Sequence, residues 1–217
     1  MENTGDQKMK KVLPVPFVSQ NSFDVPAEFH NNACGIACTK MILDYMPESY
    51  KSEYLMGGLR TMNDLIEEGI VIGGLTDNGW KHDSLVRLLR NRNIMSYCQE
   101  YRSIDIVIDQ IHGVTFSEGK NYPDIQNIGI EKIIKKINSG LPTIVSVMPN
   151  FNDNKETHLI LIIGYEIEKI PQNSDQPING SFYYHDPDSR NGTEKKNKKI
   201  TINDFIKKWR NLAIFVD

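Results

Sequence analysis

Three apolar stretches follow one another in the second half of the chain, and this succession constrains the fold more than any other feature. They have the sequences TIVSVMP, HLILIIGYEIE and SFYYHDP, and a loop rich in Asn, Pro and Gln separates the last two. Short runs of β-branched and aromatic residues, bounded by Pro, Gly and Asn, predict β-strands. A further apolar stretch, LAIFV, closes the chain. The sequence therefore predicts a sheet built mainly from its second half.

Helical patterns come mostly before these strands. The clearest one starts near Asn32, a residue type that caps helices, and continues through ACGIACTKMILDYM until Pro47 ends it. Shorter helical patterns cover MNDLIEEG, residues 80–93 and IEKIIKKIN, and IMSYCQEY alternates like a strand. Thr201-x-x-Asp204 predicts the cap of a last short helix. Helices that lead and strands that follow predict an α+β fold.

Length and charge narrow the organisation further. The 217 residues fit one domain, because domains typically hold about 100–200 residues. The polar start MENTGDQKMKK predicts a flexible tail over residues 1–11, followed by a single domain over residues 12–217.

The charged residues give no sign of a nucleic-acid partner. The 25 Lys+Arg against 28 Asp+Glu offer no basic surface for nucleic acid, and the lysine run over residues 195–199 predicts a solvated loop. No apolar run is long enough for a secretory signal or a membrane span, so we expect a cytoplasmic protein without a membrane partner.

Four residues have the type and setting that nucleophilic catalysis needs. Cys34 lies in the first turn of the helix that starts near Asn32, where unpaired backbone N–H groups and the helix dipole favour a thiolate. His158 opens the most apolar strand, Asp186 ends the strand FYYH, and Gln20 ends the first extended segment. A cysteine nucleophile needs an imidazole, a group that orients the imidazole, and a donor to the oxyanion. The four residues provide each of these parts.

The segments around these residues resemble a known family. VPFVSQ, NNACGIACTKMIL, THLILIIGYE and FYYHDPD occur in the order typical of the bacteriocin-processing (double-glycine leader) cysteine peptidases and their stand-alone relatives. INSGLPTIVSV and ITINDFIKKWRNLAIFV are also similar to that family. The resemblance implies a papain-like fold, in which a central helix carrying the cysteine packs on an antiparallel sheet carrying the histidine and the aspartate.

Residue by residue, the resemblance implies a Cys-His-Asp triad. Cys34 would be the nucleophile, His158 the general base and Asp186 the group that orients the imidazole. Gln20 would form the oxyanion hole beside the backbone N–H of Cys34. The resemblance also implies a peptide or protein substrate, with no metal and no organic cofactor. The segment over residues 80–127 is longer than the compact family core needs, so an insertion or lid that sets specificity is expected there.

Neighbouring residues leave alternatives open. His185 precedes Asp186 in the same strand, and adjacent strand residues point to opposite faces, so only one of them can face the site. Asp186 is preferred, with Asp188 as its alternative. Cys38 and Cys98 are expected in the core, because cysteine is among the most often buried residues. A single C-x3-C pair also falls short of the spacing of a zinc site.

The sequence thus predicts a thiol hydrolase that cleaves a peptide or isopeptide bond through a thioester. Two other functions remain open. The same triad can deamidate glutamine side chains or transfer acyl groups to amines, as transglutaminases do. A domain of this kind that has lost catalysis can instead bind peptides. All four catalytic positions are filled in this chain, which favours an enzyme over a binding module.

Overall fold

The computed structural model describes residues 8–47, 61–77, 79–102, 104–109, 113–118, 122–148, 157–169, 177–189 and 195–217. Its helices are α1 (Cys34–Tyr45), α2 (Met62–Val71), α3 (His82–Arg90), α4 (Pro123–Asn138) and α5 (Ile202–Lys208). Its strands are β1 (Met9–Val12), β2 (Leu75–Thr76), β3 (Gly79–Trp80), β4 (Ser96–Glu100), β5 (Ile104–Asp109), β6 (Gly113–Glu118), β7 (Thr143–Val147), β8 (His158–Ile167), β9 (Gly180–His185), β10 (Lys198–Thr201) and β11 (Trp209–Val216).

Most of the strands join one antiparallel sheet, which confirms the predicted α+β class. Within the described residues its order is β10-β9-β8-β7-β11-β4, and β1 pairs with the second half of β8. The long strand β8 lies in the middle and is buried over nearly its whole length. Two hairpins, β2–β3 and β5–β6, form separate two-stranded sheets. The predicted strands of the second half are thus the centre of the molecule.

Helix α1 packs directly on this central strand. Gly35 makes the close approach possible, because a Cβ atom at this position would lie 2.8 Å from Leu85 and 3.0 Å from Leu159. The Sγ of Cys38, one turn further along, donates a hydrogen bond of 3.6 Å to the carbonyl oxygen of Leu159. The first turn of α1 is therefore fixed beside the first residues of β8.

Two local expectations at the start of the chain are wrong. Residues 9–11, which were expected in a flexible tail, form β1 together with Val12, and Met9 lies opposite Ile167. Residues 1–7 of the expected tail lie outside the described residues. The sequence MKKV carries little strand signal, because three of its four residues stay exposed and its partner is far away in the chain. The N-cap of α1 is Ala33 rather than Asn32. The backbone N–H of Asn32 donates to the carbonyl of Phe29 in the turn before the helix.

Much of the range 80–127 contributes to the core. Leu85, Leu88 and Leu89 of α3 are fully buried, and β4 pairs with β11 in the main sheet. Helix α4 starts at Pro123, which occupies the first helical turn and suits a position whose N–H needs no partner. Strands β5 and β6 of this range pair with each other and do not join the main sheet. The expected insertion or lid over residues 80–127 stays a prediction.

Candidate active site

Cys34 is the first residue of α1 and is partly exposed. Its position follows from the sequence around it, since the turns over residues 27–33 end where the apolar face of the helix begins. The first backbone N–H groups of a helix have no intrahelical acceptor and, with the helix dipole, they favour negative charge. Such a position suits an oxyanion that forms during a reaction.

His158 is the first residue of β8 and lies between a thiol and a carboxylate. Its Nε2 is 2.7 Å from Oδ1 of Asp186, which follows directly after β9. The side chain of Cys34 lies near the imidazole and helps to raise its pKa. Because Nε2 faces the carboxylate, Nδ1 is the ring nitrogen left for the thiol. The structure thus brings Cys34, His158 and Asp186 close together, with a hydrogen bond between the imidazole and the carboxylate.

The surroundings of His158 favour its charged form. Burial lowers the pKa of the imidazole, but hydrogen bonds with Asp186 and Cys34 outweigh it and raise the pKa to about 10. The surroundings of Asp186 likewise favour its charged form. Burial raises the pKa of this carboxyl, while the hydrogen bond from His158 and the nearby Lys195 lower it, and the net pKa lies below its ordinary value. An imidazolium held between two acceptors is what a thiolate nucleophile requires.

Gln20 is buried between the segments that carry the other site residues. Its backbone N–H donates to the carbonyl of Pro187, directly after Asp186, at 2.9 Å. Its side-chain Nε2 donates to the carbonyl of His30 at 2.6 Å, a few residues before α1. An amide nitrogen carries two hydrogens, so the second N–H remains for another acceptor. Gln20 is therefore anchored to the loop after Asp186 and to the approach to Cys34.

The two alternatives to Asp186 lie elsewhere. His185 is buried, with Nε2 donating to the carbonyl of Val15 at 3.0 Å and Nδ1 accepting from the N–H of Asn197 at 3.1 Å. It holds neighbouring chain segments in place and does not contact His158 through either nitrogen. Asp188 contacts Asp186 itself, through a backbone N–H that donates to Oδ1 at 3.0 Å. Asp186 is the carboxylate that pairs with the imidazole.

The other two cysteines differ from Cys34. Cys38 is fully buried, as expected, and burial raises the pKa of its thiol. Cys98 on β4 is partly exposed rather than fully buried, and burial still raises its pKa to about 11. Neither shares the setting of a helix N-terminus beside an imidazole. In the described parts of the chain, no three His, Cys, Asp or Glu side chains form a group that could hold a metal ion.

One further residue, Lys195, contacts a candidate site residue that the sequence does not connect it with. The lysine run over residues 195–199 is not simply a solvated loop, because its last two members belong to β10 and its first contacts Asp186. The Nζ of Lys195 is 3.4 Å from Oδ2 of Asp186. No local signal in the sequence marks this lysine among its neighbours. The β9–β10 pairing brings it back to the end of β9.

Comparisons with known structures identify the fold. A protein of Bacillus anthracis described as a C39-like peptidase matches with a TM-score of 0.55 and 15% identity, covering 96% of this chain and 98% of that one. The peptidase domain of Streptococcus ComA, a bifunctional ABC transporter of a quorum-sensing pathway, matches with a TM-score of 0.50 and 14% identity, covering 95% and 96%. At such low identities the similarity concerns the fold, which is that of the papain-like C39 peptidases.

The sequence also identifies the family to which the chain belongs. The profile of the Peptidase_C39 like family matches residues 12–213, nearly the whole chain, and the protein belongs to this family. This confirms the resemblance that the sequence motifs indicate. No curated protein matches the chain. None of the helices in the described residues is long and apolar enough to cross a membrane.

Proposed function

We propose that this protein is a cysteine peptidase that cleaves a peptide or isopeptide bond through a thioester intermediate. One observation carries the proposal: His158 lies between the thiol of Cys34 and the carboxylate of Asp186, 2.7 Å from the latter. Membership of the Peptidase_C39 like family supports the same class of reaction. The substrate is a peptide or a protein, since the bond attacked is an amide.

In the proposed acylation step, the Cys34 thiolate attacks the carbonyl carbon and the electron pair of the C=O bond moves to oxygen. The oxyanion accepts hydrogen bonds from the backbone N–H of Cys34 and the free N–H of Gln20. The tetrahedral intermediate collapses, the C–N bond breaks, and the His158 imidazolium gives its proton to the leaving amine. The acyl group remains on sulfur as a thioester.

In the proposed deacylation step, neutral His158 takes a proton from water while the water oxygen attacks the thioester. Collapse of this second intermediate releases the carboxylic acid and restores the thiolate–imidazolium pair. Asp186 holds the ring in the tautomer that leaves Nδ1 toward the sulfur. The same acyl-enzyme transfers its acyl group to an amine if an amine replaces water, so mass analysis of products formed with and without added amine distinguishes hydrolysis from transfer.

Replacing His158 with Ala tests the proposal directly. With the imidazolium present, we expect iodoacetamide to alkylate Cys34 rapidly at pH 6. An ordinary cysteine, with a pKa of ~8.5, is thiolate to well under 1% at that pH. The variant should therefore react more slowly at pH 6 by on the order of 10²-fold, and its rate should approach the wild-type rate only above about pH 8.

The pH dependence of wild-type turnover provides a second test of the proposed Cys34–His158 pair. Because its pKa is raised, His158 keeps its proton at pH values where an ordinary imidazole, with a pKa of about 6.5, has lost it, and it loses the proton as pH rises through about 10. Turnover should therefore persist well above neutral pH and fall near pH 10. Identical alkylation profiles for the wild type and the His158→Ala variant would contradict a Cys34–His158 pair.

Gln20→Ala tests the oxyanion hole. Losing one donor to the oxyanion typically costs about 10²–10³ in kcat, and we expect a loss of that size with little change in iodoacetamide reactivity at pH 6. The rates are measured on a pool of synthetic peptides, with products identified by mass spectrometry. Gln99→Ala is a matched control, since Gln99 lies on β4 and its Oε1 accepts from Lys132. A Gln20→Ala variant with wild-type kcat would exclude the proposed role.

A further inference from the structure

The carboxylate of Asp186 is held by more than the imidazole. Only 8% of its side chain is exposed. Oδ1 accepts from Nε2 of His158 at 2.7 Å and from the backbone N–H of Asp188 at 3.0 Å. The other oxygen, Oδ2, lies 3.4 Å from Nζ of Lys195. Each oxygen of this carboxylate therefore has a defined partner.

Lys195 is attached to Asp186 through its main chain as well as its side chain. Its carbonyl oxygen accepts the backbone N–H of Asp186 at 3.0 Å. Its side chain is only 23% exposed, and Nζ is also 3.8 Å from Oδ2 of Asp188. One ammonium thus lies between two carboxylates whose residues are two apart in the chain. Without it, the two negative charges would face each other across a partly buried space.

Several other titratable groups face this cluster. Cys34 and Cys38 approach from α1, His158 from β8 and Tyr184 from β9, and burial together with the charge of Asp186 raises the pKa of both Cys38 and Tyr184. Apart from the imidazolium, each of these groups adds negative charge when it ionises. The ammonium of Lys195 offsets this charge at Oδ2, the oxygen of Asp186 that does not bond to the imidazole.

We propose that Lys195 is a positioning residue of the catalytic site, which keeps Asp186 ionised and turned so that Oδ1 stays on the His158 imidazole. This inference rests on the proposed function, because it assigns Lys195 an effect on the Cys34–His158 pair through Asp186. Lys195 does not touch the reacting atoms. Its contribution is electrostatic and geometric, since a fixed cation at Oδ2 leaves Oδ1 for the ring.

The charge of Lys195 has a consequence for titration. A nearby cation lowers the proton affinity of every group around it. Removing the cation should therefore raise the pH at which Asp186 becomes ionised and at which the thiolate–imidazolium pair forms. The expected signature is a displacement of the pH profile of Cys34 reactivity toward higher pH. A lysine that merely packs against the loop would change the amplitude of that profile and leave its position unchanged.

The experiment measures the rate of Cys34 alkylation by iodoacetamide between pH 4 and 9 in the full chain. The rising limb is the part of the profile in which the alkylation rate of Cys34 increases with pH. We expect Lys195→Met to move this limb toward higher pH by roughly half a unit or more, because one partly exposed ion pair is lost. Lys195→Arg should restore the wild-type position, because it keeps the charge. Lys196→Met is the matched control: Lys196 is exposed, and its loss should move the limb less. Thermal unfolding of each variant checks that it is folded.

A double variant keeps the proposal testable even if Lys195→Met is destabilised. Asp188→Asn removes the second carboxylate but keeps the backbone N–H that donates to Asp186. Added to Lys195→Met, it should return the limb toward the wild-type position. A limb that stays in place in Lys195→Met, while His158→Ala moves it, would overturn the role of Lys195 and leave the proposed function standing. A limb that moves in neither variant would overturn the proposed function itself.

Discussion

Cys34→Ala is expected to reduce peptide hydrolysis by on the order of 10⁶-fold, to the background rate, which is the loss seen when a catalytic nucleophile is removed from a triad. The physical reason is that alanine has no atom able to form the thioester, so no acyl-enzyme can arise. The fold should persist, because Cys34 is partly exposed at the first position of α1 and alanine favours helix. The variant should therefore unfold at a temperature close to that of the wild type.

The measurement compares hydrolysis of a pool of synthetic peptides by the wild type and the variant, together with iodoacetamide labelling followed by mass spectrometry. Labelling at residue 34 should be lost with the activity. Cys98→Ala is the matched control, because Cys98 is also partly exposed but lies on β4 and its pKa is raised to about 11. It should keep its activity. Hydrolysis that survives in Cys34→Ala would contradict the assignment of the nucleophile.

Asp186→Ala is expected to lower kcat/KM by on the order of 10²–10⁴-fold, the range for losing the group that orients a catalytic imidazole. Without the carboxylate, nothing accepts the hydrogen of Nε2, and the ring is free to adopt the other tautomer or to turn away from Cys34. The imidazolium also loses the negative charge that helps to raise its pKa. Both effects reduce the fraction of protein in the reactive state.

Asp186→Asn separates orientation from charge. Its amide oxygen can still accept from Nε2–H, as it does in Cys-His-Asn triads, so this variant should retain more activity than Asp186→Ala. Both changes remove an acceptor or a charge from Lys195 and Asp188. Rates are therefore compared well below each variant's unfolding temperature. An Asp186→Ala variant with wild-type kcat/KM would mean that another group orients His158.

Local patterns in the sequence were sufficient for most of the elements. The capping pattern at Thr201 is present, with the hydroxyl accepting from the N–H of Asp204 at 3.1 Å, and Gly140 follows α4 with a φ of 84°, as a C-terminal glycine should. These features depend on residues close together in the chain. β1 could not be predicted in this way, because it is held by the backbone of β8 and leaves most of its side chains exposed.

The sequence also indicates the four candidate site residues, by residue type, position at an element end and family resemblance. The sequence does not show how these four residues are arranged in space. The side chain of Asp186 rather than that of Asp188 pairs with the imidazole, and His185, the last residue of β9, bonds to Val15 instead. The contact of Lys195 with Asp186 could not be predicted, because no sequence feature distinguishes this lysine from its neighbours.

The α+β class, the helix that presents Cys34 and the central strand that begins at His158 follow from the sequence, because they depend on local hydrophobic patterns and on helix and strand ends. Which side chains meet depends on the tertiary fold. Packing of α1 on β8 brings thiol and imidazole together, and the pairing of β8, β9 and β10 brings Asp186 and Lys195 to the same place. Hydrogen bonds and ion pairs depend on distances of a few ångströms between residues remote in the chain, and such distances exist only once the sheet has formed.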